Sequence, residues 1–263
     1  MDRVRFYFDP RCPWCFQASR WVRRLAELGE VELSWGLYCL ELANLPADGD
    51  VAGLGVTARS ATALRTAAAI GRRGGNADIG RFYRALGKRV WETADPASDR
   101  DEAVRASAEE TGHPRSALDD AMADPSTWDD VVAQHRALVE EKGGIGVPTL
   151  VLDGGDGPAI FGPVMSHLPD DEEAVRVWHH VRWLARQDDF YELKTHRPFQ
   201  PDVPGWKVPV GKLSITGLST SIGMAVYPTA GTSLQRLLDA ADTALYHAKA
   251  TGRNKVVHVT DLV

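Results

Sequence analysis

Two cysteines three positions apart, set where a strand ends and a helix begins, constrain this chain more than any other feature. Cys12-Pro13-Trp14-Cys15 follows the apolar, aromatic run Val4 to Phe8, which reads as a strand broken by Asp9-Pro10-Arg11. Beyond it, Trp14, Ala18, Trp21, Val22, Leu25 and Leu28 recur at helical spacing. Pro13 suits the first helical position and Gly29 suits the stop. Helix N-terminal N–H groups and the macrodipole stabilise an anion at Cys12, and Arg11 adds a positive charge beside it. Cys15, in the first turn, can reach Cys12 to close a disulfide and is expected to be the more buried, resolving thiol. Pro13 keeps the turn rigid, and Trp14 offers a flat apolar surface beside the sulfur for a substrate to lie on.

Two plainer readings compete with redox chemistry. A structural zinc site needs four ligands, yet there is no second C-x-x-C and no suitably spaced histidine pair nearby. Two buried structural cysteines are the other reading, and the strand-to-helix placement decides against it. Three cysteines in 263 residues are too few, and odd in number, for a disulfide framework. The net charge of −6 comes without a sustained basic run, which argues against a nucleic-acid partner. No apolar stretch approaches the roughly 18 residues that span a membrane, and Met1 to Phe8 lacks the pattern of a secretion signal. The expected setting is the cytoplasm, with neither membrane nor nucleic acid as partner.

Val31, Leu33, Trp35 and Leu37 alternate with polar or small residues, so the first 40 residues read strand, helix, strand. Residues 41 to 56 read as loop, and about 57 to 142 as an all-helical block ended by Gly143-Gly144. Strand character returns at Thr149 to Leu152 and at Ala159 to Phe161, around a glycine-rich hairpin turn. A helix from about Asp171 to Gln187 closes the unit. This order is an α/β thioredoxin-like fold carrying a helical insertion, over residues 1–195. Val147-Pro148-Thr149 then falls where such folds hold a cis-proline against the C-x-x-C. Residues 196–212, with four prolines, read as a linker to a strand-helix-strand segment over 213–263. Cys39 reads as a small buried residue, and His135 as a core or rim histidine that could help bind a thiol. The Arg23-Arg24 pair reads as a solvated face.

Phe8 to Cys15, Gly146-Val147-Pro148-Thr149 and Phe161-Gly162-Pro163-Val164 resemble the DsbA-type thioredoxin superfamily, and more narrowly the mycothiol-dependent nitroreductases. Trp178 and Phe190-Tyr191-Glu192-Leu193-Lys194 fit the same family. The resemblance implies an enzyme with no tightly bound cofactor. It would draw electrons from a small thiol, mycothiol above all, and reduce a nitro, electrophilic or disulfide substrate. Cys12 would be the nucleophile and Cys15 the resolving thiol, with Pro13, Trp14, Val147 and Pro148 lining the substrate or thiol site. Phe16 departs from the family, where another tryptophan is expected, and bears on the substrate surface. Hydroxychromene-carboxylate isomerases resemble the same fold and bind glutathione, but carry serine at the nucleophile position; the cysteine pair argues for redox turnover instead.

Ser221 to Ala225, Ala241 to Lys249 and Gly252-Arg253-Asn254 resemble the last part of a GGDEF (diguanylate cyclase) domain. That likeness implies that Lys249 and Arg253 contact nucleotide phosphates, and two cations one turn apart make a plausible anion clamp. The signature loop and the metal-binding carboxylates of such a domain are missing from the sequence. Without them phosphoryl transfer lacks electrostatic support, so the expectation is a partial remnant and not an active cyclase. A nucleotide-binding signalling segment, docking and oligomerisation are the rival readings.

Overall fold

The computed structural model describes residues 1–93, 100–192, 201–205, 222–224, 233–250 and 256–259. The chain divides into two units, Met1–Lys207 and Val208–Val263.

The first unit is organised by β1 (Asp2–Phe8), α1 (Pro13–Glu27) and β2 (Val31–Leu37). β1 and β2 pair in parallel, in register from Asp2↔Val31 to Phe8↔Leu37, so α1 is the crossover that a parallel pair requires. On its other edge β1 pairs antiparallel with β3 (Thr149–Leu152), which pairs antiparallel with β4 (Ala159–Phe161). The sheet order is β2-β1-β3-β4. Val4, Phe6, Tyr7 and Phe8 of β1 are all buried, although they point to alternate faces. A strand covered on both sides reads as a continuous apolar run, as Phe6-Tyr7-Phe8 does, while Arg3 and Arg5 keep the first half of β1 partly exposed.

α1 turns Cys15, Phe16, Ala18, Trp21, Val22 and Leu25 into the core. It stops at Gly29, whose φ of +79° suits a residue without a Cβ. Phe16 is buried in edge-to-face contact with Tyr83, not on the substrate surface expected from sequence. A Cβ on Gly87 would come 2.1 Å from the Phe16 ring, so the absent side chain makes room for it.

α2 (Leu40–Ala43) and α3 (Val51–Thr57) occupy the stretch expected as loop. Both are too short to show amphipathic periodicity, and α3 carries two glycines. One of them, Gly55, lies so close to Trp128 that a Cβ would sit 2.7 Å from its ring. The helical block follows as α4 (Ala61–Gly74), α5 (Asn76–Trp91), α6 (Arg100–Glu110), α7 (Ala117–Ala123) and α8 (Ser126–Arg136), with a π-turn at Ala137–Glu141. Buried Arg65 of α4 fastens it, donating to Thr127 and to the carbonyls of Gly55, Ala121, Met122 and Asp124.

α9 (Asp171–Leu184) starts with the Asp170 carboxylate accepting from the Glu173 N–H at 2.9 Å. Trp21 Nε1 donates to the Ala174 carbonyl at 3.2 Å, tying α1 to α9. The proline-rich stretch is not a free linker throughout. Val203 is buried in the first unit's core, and the Gly205 N–H donates to the Trp91 carbonyl at 2.7 Å. The apolar Val203 pins this short strap, residues 201–205, to the unit, and its N–H turns back onto the Pro201 carbonyl at 2.8 Å. The second unit holds β5 (Ile222–Met224), α10 (Leu234–Ala250) and β6 (Val256–His258), with β5 and β6 parallel.

Candidate active site

Cys12 is the N-cap of α1, and its Sγ accepts the Cys15 N–H at 3.2 Å. The thiol thus takes the place of a capping oxygen on an N–H that the helix leaves unpaired. Pro13 fills the first helical position, where a missing N–H costs nothing. Cys15 is fully buried and Cys12 nearly so, at 7% exposure. Both are free thiols. Burial pushes the Cys15 thiol well above the usual range, and the hydrogen bond to Cys12 adds to this. Cys15 therefore holds its proton until something accepts it. Trp14 is half-buried beside the pair.

The Val147–Pro148 peptide is cis, as the proline-strand pattern leads one to expect, and the Val147 carbonyl lies 3.9 Å from Cys12 Sγ. The structure therefore brings Cys12, Cys15, Val147 and Pro148 to one place, from segments 135 residues apart. Gly162–Pro163 is a second cis bond, which the sequence reading did not anticipate. Lys249 falls in α10, but its side chain and the whole of Arg253 lie outside the described residues.

Sequence reasoning missed the group behind the thiols. Asp9 is 1% exposed. Its Oδ1 accepts the Arg11 N–H at 2.7 Å, its Oδ2 accepts the Leu40 N–H at 2.8 Å and the Ser60 hydroxyl at 3.2 Å, and its carbonyl accepts the Cys12 N–H at 3.0 Å. Asp9 thus clamps the thiol loop to the start of α2 and the N-cap of α4. Burial outweighs these bonds and raises its carboxyl to about 7. The visible signal was an aspartate closing an apolar strand directly before Pro10, a pattern that reads first as a strand stop.

Cys39 is buried, as expected, with Sγ 3.9 Å from the Ser60 hydroxyl. His135 is buried against Tyr38, with ring centroids 4.4 Å apart, and Nδ1 accepts the Cys39 N–H at 3.5 Å. Burial drops His135 to about 4, with Arg136 adding to the effect. Arg11, Arg59 and Arg100 share a small recess with Pro10, where Arg59 is paired with Glu41 at 2.8 Å.

A C-x-x-C at a helix start, facing a cis-proline from an antiparallel strand, on a thioredoxin-like sheet with a helical insertion, defines the DsbA-like class. Residues 11–195 match the Rv2466c-like family, described as mycothiol-dependent nitroreductase Rv2466c, and the chain belongs to that family. Residues 208–255 match the diguanylate cyclase GGDEF domain. The chain is 35% identical over 202 residues, 76% of its length and 84% of the relative's, to "Uncharacterized protein Rv2286c" of Mycobacterium tuberculosis (strain ATCC 25618 / H37Rv). It is similar to a solved 2-hydroxychromene-2-carboxylate isomerase at 18% identity and TM-score 0.48, covering 71% of this chain and 97% of the other. It is also similar to Chlamydia trachomatis DsbA at 15% identity and TM-score 0.47, covering 71% and 89%. Among the described residues, no helix is long and apolar enough to cross a membrane.

Proposed function

We propose that the chain is a cytoplasmic, mycothiol-dependent reductase of nitro or disulfide substrates, with Cys12 as nucleophile and Cys15 as resolving thiol. The observation that carries this reading is Cys12 Sγ at the N-cap of α1, on the Cys15 N–H and beside the Val147 carbonyl. With a disulfide substrate, the Cys12 thiolate attacks one sulfur and expels the other as a thiolate. Cys15 loses its proton and attacks Cys12 Sγ, expelling the second half and leaving a Cys12–Cys15 disulfide. Two small thiols then reduce that disulfide and leave as their own disulfide. With a nitro substrate, oxidation of Cys12 and Cys15 to their disulfide supplies two electrons and two protons, which take the nitro group to nitroso and water, and the small thiols then re-reduce the pair. Pro13, Trp14, Val147 and Pro148 form the surface on which the thiol or substrate rests.

The test compares mycothiol, glutathione and a thioredoxin system as reductants of the purified full chain. Mycothiol should sustain turnover with a nitro or disulfide substrate at least about tenfold better in kcat/KM than glutathione, a difference of about 1.4 kcal/mol. Equal rates with all three would remove mycothiol from the account.

We further infer that Val208–Val263 contributes nothing to thiol chemistry and makes no cyclic dinucleotide, because it supplies no thiol and lacks the signature loop. Lys249 and Arg253 form its remnant phosphate-contacting pair. A chain ending at Lys207, which keeps the Val203 strap, should retain full reductase activity. A folded truncation that lost activity would make the second unit part of the enzyme.

A further inference from the structure

A cleft of about 410 Å³ runs along α1, α5 and α9; neither Cys12 nor Cys15 lines it, and the proposed function makes no use of it. That volume is in the range of small-molecule sites. Its lining is unusual in charge: Arg20, Arg23, Arg24, Arg84 and Lys88 against Glu27, Glu92 and Asp171, a net of +2.

The three carboxylates are already engaged. Asp171 takes a two-pronged contact from Arg24, at 2.6 and 2.7 Å, and Glu27 accepts from the same guanidinium at 2.9 Å. Glu92 lies 3.8 Å from Arg20. Three cations are left over. Arg84 and Lys88 stand one turn apart on α5 with exposed side chains, and among the described residues neither has a carboxylate partner.

Arg23 is the distinctive member. It was expected on a solvated face, but its guanidinium lies over the Trp35 ring, 4.0 Å from the centroid. Nη2 donates to the Gly80 carbonyl at 2.7 Å, while Nε is buried with no partner. Gly80 permits this stacking, since a Cβ there would meet Trp35 Nε1 at 2.2 Å. Burial lowers Arg23 to about 10, and the charge of Arg84 adds to this. A cation removed from water without a carboxylate is costly, and a bound anion relieves that cost. A guanidinium fixed on an aromatic ring is also pre-oriented for forked contact with oxyanions.

We propose that this cleft binds a small dianion of the phosphomonoester class, with Arg23, Arg84 and Lys88 as its counter-charges. The lining's net charge matches a dianion, and the volume leaves room for an organic group beside Trp21 and Leu168. The site is independent of the thiol chemistry.

Calorimetric titration of the full chain tests this with three probes: inorganic phosphate, glycerol 3-phosphate and succinate. Saturable binding of both phosphates at constant ionic strength is expected, with the ester tighter than inorganic phosphate. Succinate binding alone would reassign the site to carboxylates and overturn the phosphomonoester class. The double variant Arg84→Gln/Lys88→Gln changes only exposed side chains, so it should fold, and it should weaken binding by about tenfold or more. Cys12→Ser should bind as the wild type does. No saturable binding by either phosphate, undiminished binding in the double variant, or binding lost in Cys12→Ser would each overturn the proposal.

Discussion

Cys12→Ser lowers thiol-dependent reductase turnover by about a thousandfold or more, the scale on which loss of a catalytic nucleophile is felt. A serine at the N-cap of α1 keeps a side-chain acceptor for the Cys15 N–H, so the helix start survives. The fold loses nothing else, because Cys12 forms no disulfide in this state. The loss is therefore chemical, and circular dichroism and the melting temperature should stay near wild type. Cys15→Ser behaves differently: Cys12 still attacks, but the mixed disulfide has no intramolecular exit. Steady-state kinetics of both variants, with one small thiol and one substrate, check this. Substantial turnover in Cys12→Ser would move the chemistry away from the C-x-x-C.

The second large effect is on stability against pH, where two buried groups pull in opposite directions. Asp9 has its carboxyl raised from 3.8 to about 7. Between those values the folded chain holds a proton that the unfolded chain has lost, so rising pH costs stability through this window. His135 is lowered from 6.5 to about 4. Between those values the unfolded chain holds the extra proton, so rising pH adds stability. The opposed slopes largely cancel in the wild type. Asp9→Asn removes the falling slope, so that variant should gain stability relative to wild type as pH rises from about 4 to 7. His135→Gln removes the rising slope and should lose stability relative to wild type over about pH 4 to 6.5. For Asp9 the effect is a few kcal/mol, since each pH unit is worth about 1.4 kcal/mol. The asparagine also turns an NH₂ toward the N–H donors of Arg11 or Leu40, a further cost of about 1–3 kcal/mol at every pH that leaves the slope untouched. Urea unfolding across this range measures both variants. Profiles parallel to wild type in both would contradict the account.

What the sequence made legible was set by period and by punctuation. β1, α1, β2, β3 and β4 each announce themselves by an apolar run or a clean period, with Pro13 and Gly29 marking the ends of α1. The C-x-x-C and the proline of Val147-Pro148 were readable because their chemistry depends on local position. The misses at single residues share a cause, which is that each depends on a distant partner. Asp9 matters through Leu40 and Ser60, which lie 31 and 51 residues away. Arg23 is half-buried because Trp35 offers it a ring, and nothing in Arg23-Arg24 distinguishes the stacked member from the one paired with Asp171. Phe16 is internal because Gly87, on another helix, leaves a hollow for it. α2 and α3 are too short for periodicity to register.

The central claim is that a small thiol exchanges at Cys12 and that Cys15 resolves the product. It is tested most directly by trapping the exchange midway. The full-length Cys15→Ser variant is incubated with mycothiol disulfide, and its intact mass and peptide map are recorded. The account predicts one mycothiol adduct per chain, on Cys12, with none on the fully buried Cys39 and none in the Cys12→Ser/Cys15→Ser double variant. An unmodified chain, or an adduct on Cys39 in place of Cys12, would contradict it.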